Sequence, residues 1–451
     1  MLTPQQRTEI FETMPIRRAV WRQIAPAIAS QMIALVYNLA DTYFVGLLNQ
    51  PPQTAAVTVA YPAFLMLTAI SNLFGVGGAS AISRTLGKKQ PEKARRIAAV
   101  SFWLGLGAAL LFSAVFALWA APILTLCGAK PDTLPIALAY ARWTVIWGGA
   151  GTVLNVLLAN LLRAEGNAGA ASFGVSMGGI LNIVLDPFFI LPRFLGLGAA
   201  GAGLATAISN AAAALYLLTR LLRGRGSVLG IRLRDLGSIR EHLRSILSVG
   251  FPSALQYGLT VVAVAAQSRF VACYATEAVA ALGIVKKLDQ LPLYFSIGVA
   301  TGLLPLLAYN YASGDQARWR DAFRFGGAVS LGFSLFCVAL YESCAPLLAG
   351  LFIDDALTVQ YAASFLRRMV LAMPLMSLAY PMIIQFQAMG KVRESLICSI
   401  LRKGVLDIPL LFLMDALLPL YGCMWVQPMV DAISLSAALL FYRRLRRREN
   451  L

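Results

Sequence analysis

Residues 24–48 read IAPAIASQMIALVYNLADTYFVGLL, an apolar run long enough to cross a bilayer as a helix. Inside it stands Asp41, in the stretch Tyr37-Asn38-Leu39-Ala40-Asp41-Thr42. An ionisable group at that depth is costly unless it is paired or solvated. On a helix Tyr37, Asn38 and Asp41 share one face, because residues three and four apart are neighbours. One reading is an acid near a helix end that reaches interfacial water, although the apolar sequence continues past Asp41 to Leu48. The other is a polar face turned into a bundle, where it holds a cation or a proton.

The rest of the chain extends this first run. Of its 451 residues 59% are hydrophobic and 13% charged, with a mean hydropathy of +0.71. A soluble domain would be about a quarter charged. Apolar stretches recur from Val20 to Tyr442, which predicts an all-α polytopic membrane protein without a separate soluble domain. The net charge of +17 is a topology signal and does not imply a nucleic-acid partner, because 28 of the 38 Lys and Arg residues fall in alternate loops. The intervening loops contain only Lys130 and Arg193. Positive charge stays inside, so both termini and the long central loop are expected in the cytoplasm. Six scattered cysteines without CxxC spacing suggest packing, with neither a disulfide framework nor a metal site. The first residues carry acids and lack a cleavable signal pattern, so the opening run is expected to remain as helix one.

Twelve transmembrane helices are expected, at about 20–48, 55–84, 96–120, 134–161, 168–191, 199–222, 243–272, 278–311, 319–341, 358–386, 394–415 and 421–442. The Gly/Arg-rich connector divides them into an N-terminal six-helix lobe (1–222), a cytoplasmic linker (223–242) and a C-terminal six-helix lobe (243–451). The lobes read as repeats. Pro26 matches Pro252, Gly75 matches Gly302, Gly87 matches Gly314, and Ala121-Pro122 matches Ala345-Pro346. Gly166 then matches Gly390, Pro187 matches Pro409, and Gly201 matches Gly422. Six helices per repeat make both lobes enter from one side, the parallel-repeat plan of transporters that rock one half against the other.

The repeats differ where chemistry is expected. Asp41 is matched by Gln267, Thr206 by Gln427, and Asn210 by Asp431. Asn182 and Asp186 are four apart and share a face just before Pro187, whose missing N–H frees a carbonyl nearby. Asp41, Asn182, Asp186 and Thr206 offer the oxygen ligands that a hard cation such as Na⁺ prefers. Alternatively, two close carboxylates in low dielectric cannot easily both ionise, and the pair holds a proton.

The motifs YNLADTYFVG (37–46), LRAEGN (162–167), LNIVLDP (181–187), GAGLAT (201–206) and YNYASG (309–314) resemble the multidrug and toxic compound extrusion family over essentially the whole chain. The resemblance is to the prokaryotic branch whose coupling acid lies in the N-terminal lobe. It implies export of amphipathic, cationic organic compounds in exchange for Na⁺ or H⁺, by alternating access and without a cofactor. Asp41, Asn182, Asp186 and Thr206 match that branch's cation site, with Tyr37, Asn38, Tyr140 and Asn160 as the surrounding polar shell. The other branch's acid on helix seven is missing from Pro252-Ser253-Ala254-Leu255-Gln256-Tyr257.

Gln256, Tyr257, Met373 and Met382 are candidates for a substrate cavity, since methionine repacks readily, although helix packing accounts for such residues equally well. Arg269, Lys286, Lys287, Arg402 and Lys403 fall within the second lobe's helices, with Asp289 and Asp407 close by in sequence. They read either as local ion pairs and snorkelling side chains, or as a cationic wall for an anionic headgroup, as in a lipid-linked oligosaccharide flippase of the same superfamily. An enzyme is disfavoured, because His242 is the lone histidine and no GxxxxGK[ST] phosphate loop occurs. The expected protein is a monomeric secondary antiporter whose partners are the bilayer and a small amphipathic substrate.

Overall fold

The computed structural model describes residues 4–223, 227–352 and 355–449. Regular structure among them is helical throughout. A short helix α1 (Pro4–Glu12) precedes α2 (Ile16–Gly46), α3 (Pro51–Gly87) and α4 (Pro91–Leu126). The fourth span is α5 (Leu134–Ala141), a π-helical turn (Arg142–Trp147) and α6 (Gly149–Ala164), followed by α7 (Ala168–Ile190) and α8 (Ala199–Arg223). After the linker come α9 (Ile239–Ala272), α10 (Thr276–Ser313) and α11 (Gln316–Gly350). The last spans are α12 (Ala356–Met369) with α13 (Ala372–Met389), α14 (Val392–Arg402) with α15 (Asp407–Leu417), and α16 (Gly422–Glu449).

This is the expected all-α polytopic protein, with six spans in each of two lobes. Among the described residues nine helices are each long and apolar enough to cross a bilayer, and two bent pairs raise the number to eleven. The remaining span, α14 with α15, is broken at 403–406, where Gly404 takes φ +150°.

The backbone repeats along with the sequence. The helix axis bends by 48° between α5 and α6 and by 45° between α12 and α13. Non-helical residues lie shortly before the matched prolines, Trp119 before Pro122 and Cys344 before Pro346. Proline explains both, since it removes a hydrogen bond and crowds the preceding turn. Gly166 and Gly390 end their helices at φ +89° and +73°, a conformation that glycine adopts without penalty. Gly87 departs from its match with Gly314: it stays helical, and what it provides is close approach, since a Cβ there would lie 2.4 Å from the Tyr309 carbonyl oxygen of the other lobe.

Three apolar cores show how the lobes meet. One is shared, running from Ile24, Phe74 and Ile82 in the first lobe to Ile246, Leu303 and Phe386 in the second. The other two are private, around Leu67 and Phe116 in one lobe and Leu282 and Phe365 in the other. The lobes are therefore joined at the end that carries the basic loops and part toward the opposite end. Small residues make the joint tight. A Cβ on Gly250 would fall 1.8 Å from the Leu73 carbonyl oxygen, and one on Gly77 would fall 2.2 Å from that of Ile246. A Cβ on Gly298 or Gly302 would likewise fall 2.7 Å from the Cα of Ile28 or Ile24 in α2. Membrane helices approach closely where such residues face each other.

Helix α1, which the apolar pattern did not predict, straps this joint. Ile10 and Phe11 are buried in the shared core, and Phe11 stacks on Tyr309 at 4.8 Å. Arg318 of α11 donates to the carbonyls of Phe11 (2.7 Å) and Ile10 (2.9 Å). Glu12 takes both Lys89, from the α3–α4 loop, and the Tyr309 hydroxyl of α10, so one carboxylate ties the two lobes. Tyr309→Phe removes that hydroxyl at a partly exposed site, a loss on the order of 1 kcal/mol. Spin-label distances across the basic end should then show the open population rising roughly fivefold over wild type. An unchanged distance distribution would make the strap ornamental.

Candidate functional site

The residues expected to form a cation site lie on α2, α7 and α8, and glycines bring these helices together. A Cβ on Gly179 of α7 would lie 2.8 Å from Ile33 and 3.1 Å from Tyr37 of α2. One on Gly178 would lie 2.9 Å from Ala213 of α8. One turn further on, Asn182 Nδ2 donates to Asp186 Oδ1 (3.3 Å) and to Thr206 Oγ1 (3.4 Å). Asn182, Asp186 and Thr206 are 2%, 0% and 8% exposed, which excludes bulk water as their partner. Asp41 reaches toward the same place from α2 and acts electrostatically on Asp186 and on buried Tyr140.

Three buried oxygens here have no hydrogen-bond donor: Asp41 Oδ1, Asn182 Oδ1 and Asp186 Oδ2. Neither carboxylate has an ion-pair partner among the described residues. An unpaired buried acceptor is costly, and two adjacent unpaired carboxylates more so. The set fits a ligand that brings positive charge, either a proton or a hard monovalent cation. Among the described residues no group of three His, Cys, Asp or Glu side chains could hold a metal, so a transition-metal centre has no footing there.

The remaining predicted residues separate into distinct places. Tyr37 and Tyr140 border the carboxylates. Asn160 lies apart from them, accepting from Arg163 (3.4 Å), whose other amine donates to Ser30 (3.4 Å). Arg163, counted in the sequence among the loop cations, is in fact 4% exposed inside the bundle. Asn38 turns away from Asp41 and bridges the lobes, donating to the Tyr294 hydroxyl of α10 (3.3 Å). Tyr257 makes the companion bridge, from α9 to Asn72 of α3. Its neighbour Gln256 is part-buried on the same helix. Met373 and Met382 are 1% and 4% exposed, packed in the second-lobe core and the shared core respectively.

Sequence reasoning missed the bridging partners Asn72 and Tyr294, along with Tyr61 and Tyr380. The phenols of Tyr37, Tyr61, Tyr257, Tyr294 and Tyr380 come from both lobes: Tyr61 interacts electrostatically with Tyr37, Tyr257 and Tyr294, and Tyr257 with Tyr380. Single tyrosines on five different helices leave no local pattern.

The second-lobe cations also differ from the local pairing expected of them. Arg402 pairs with Asp431 at 3.0 Å, both fully buried, and its guanidinium lies 4.1 Å above the Tyr380 ring. Asp407, its neighbour in sequence, instead accepts from the Gly404 N–H at 2.9 Å. Lys403 donates to Gln427 Oε1 at 2.7 Å, while Arg269 and Lys287 are exposed. Arg402 Nε and Lys403 Nζ are thus turned onto acceptors of the protein itself, although Arg402 Nη1 is buried without one.

A polytopic helical bundle in two repeated lobes, with two acidic side chains inside one of them, has the architecture of a membrane transporter. The chain belongs to the MatE family, whose sequence model matches residues 26–188 and again residues 252–413, once in each lobe. It is 30% identical over 440 residues to the multidrug export protein MepA of Staphylococcus saprophyticus subsp. saprophyticus, covering 97% of this chain and 96% of that protein. MepA of Staphylococcus aureus is 29% identical over 439 residues, with the same coverage. A solved structure described as the outward-facing conformation of a multidrug resistance MATE family transporter of the MOP superfamily superposes with a TM-score of 0.92, at 26% identity and over 100% of both chains.

Proposed function

We propose that this protein exports amphipathic organic cations across a prokaryotic plasma membrane in exchange for Na⁺ or H⁺. The observation that carries this reading is the pair Asp41, half-buried, and Asp186, fully buried, each with one buried oxygen that receives no donor, beside Asn182 and Thr206. Such a pair is stable in one protonation or ligation state and strained in the other, which gives an ion a reason to favour one lobe arrangement. The kinship with MepA supports drugs as cargo.

In this reading residues 1–222 and 243–451 rock as two bodies about the linker 223–242, and the chain works as a monomer. With both termini cytoplasmic, the glycine-packed joint closes the cytoplasmic side and the cleft opens outward. Substrate meets the tyrosine layer at the cleft's floor, where aromatic faces attract organic cations. Gln256 and Tyr257 flank that floor, and Met373 and Met382 back it from within the cores. Cation or proton arrival at Asp41 and Asp186 neutralises the pair, repacks α2 against α7, and favours release of the joint. Each ligand moves the equilibrium only through its different affinity for the two arrangements.

Efflux of a cationic dye from proteoliposomes, under Na⁺ and pH gradients imposed separately, tests this. One of the two gradients should drive efflux and its dissipation should stop it. Efflux under neither, from a protein that binds the dye, would overturn the exchange.

A further inference from the structure

The second lobe contains the counterpart of the carboxylate site, and the counterpart is filled. Gln267 stands where Asp41 does, Gln427 where Thr206 does, and Asp431 where Asn210 does. Gln267, Gln427, Lys403, Lys286 and Asp407 line one cavity of about 10 Å³, which has room for no more than a water. Lys403 Nζ bonds Gln427 Oε1 at 2.7 Å, and Gln427 Nε2 passes the contact on to Asp431 Oδ2 at 2.8 Å. Arg402 takes the other Asp431 oxygen at 3.0 Å. Counting back from the Pro187–Pro409 match sets Ile180 and Leu181 against Arg402 and Lys403. The first lobe therefore has apolar side chains where the second has two cations.

The charges follow the same division. Among the described residues Asp41 and Asp186 have no ion-pair partner. In the second lobe three cations (Lys286, Arg402, Lys403) stand with three carboxylates (Asp289, Asp407, Asp431). One site is formally doubly negative and the other neutral, so only the first requires positive charge from outside.

We propose that Lys403 is a resident stand-in for the coupling cation, with Arg402 beside it, and that it confines ion coupling to the N-terminal lobe. The proposal rests on the carboxylate pair being the ion site. The second lobe is held permanently in the loaded condition, in which it needs no ion to keep its helices together. The broken span at 403–406 is what brings the Lys403 ammonium inward: the helix stops at Arg402, and the Gly404 N–H is capped by Asp407 instead of a helical carbonyl. Removing the ammonium should turn the second lobe into a site that takes up a cation.

Thermal unfolding of purified protein, in NaCl against equal choline chloride and across neutral to mildly acidic pH, tests this. Wild type should gain a few degrees from Na⁺ or from acid, since a ligand of the folded state stabilises it by mass action. Asp41→Asn/Asp186→Asn should be indifferent to both. Adding Lys403→Gln to that pair of substitutions should restore a shift of similar size, now from the second lobe. Lys403→Met in the same background removes the ammonium but keeps an unbranched stem of similar length, so it serves where Lys403→Gln folds poorly. Indifference in both triple variants would overturn the stand-in. Indifference in wild type would overturn the carboxylate site itself, a different result.

Discussion

Asp41→Asn should give a protein that inserts and purifies normally but exports nothing under an ion gradient. The substitution keeps the size and hydrogen-bonding capacity of the side chain and removes both its charge and its titratable proton. Asp41 Oδ1 is buried without a donor, so no native bond is broken by losing the carboxylate. The amide can donate to Asp186 or Asn182, whose free oxygens lie in the same site. Burying the charge was itself costly, so stability should change by no more than about 1–2 kcal/mol, in either direction. Exchange, by contrast, depends on a group that alternates between charged and neutralised states, and asparagine has only one. Dye binding should survive, weakened where the cation senses the lost charge. Wild-type efflux under the same gradient would show Asp41 to be structural and would remove it from the exchange.

Gly250→Val should be comparably severe for a different reason. A Cβ at this position falls 1.8 Å from the Leu73 carbonyl oxygen, a backbone atom that cannot rotate away as a side chain can. The lobes would have to separate along α3 and α9, taking Ile246 and Val249 out of the shared core. Each lobe keeps its private core, so the protein should still fold, yet the arrangement closed at the basic end should be unreachable. Transport by alternation requires both arrangements, and the rate should fall to background. A cysteine in place of Ala300, 2% exposed in the shared core, reports on this directly. It should resist a water-soluble maleimide in the parent and react in Gly250→Val. A protected cysteine together with normal transport would mean that the joint absorbs the valine.

Much of this architecture was written in hydropathy and in repeated glycines and prolines. Apolar length alone places the spans, and Pro26 and Pro252 open the two stretches that the family's sequence model matches. Asn182, Asp186 and Thr206 were legible because polar side chains stand out in a lipid-spanning run, and helical spacing told which of them share a face. What escaped depends on partners distant in sequence. Arg402 finds Asp431, 29 residues away, rather than nearby Asp407, because the chain breaks at 403–406 and redirects both side chains. A break between two apolar flanks leaves the hydropathy of the span intact. Helix α1 is polar enough to read as a tail, and its role comes from Tyr309 and Lys89, residues with no apparent tie to it in sequence. Asn38 looked like part of the ion site through its neighbours on α2, but rotation about the helix turns it to the other lobe.

The central claim is that substrate and ion exchange through the Asp41–Asp186 pair, and coupling of this kind runs both ways. The direct measurement is ion movement driven by substrate alone. Proteoliposomes with no ion gradient receive a step in cationic dye, and internal Na⁺ and pH are followed together. In wild type one of the two signals should move opposite to the dye, with Asp41→Asn silent in both. Dye crossing the membrane in wild type without countermovement of either ion would contradict the account.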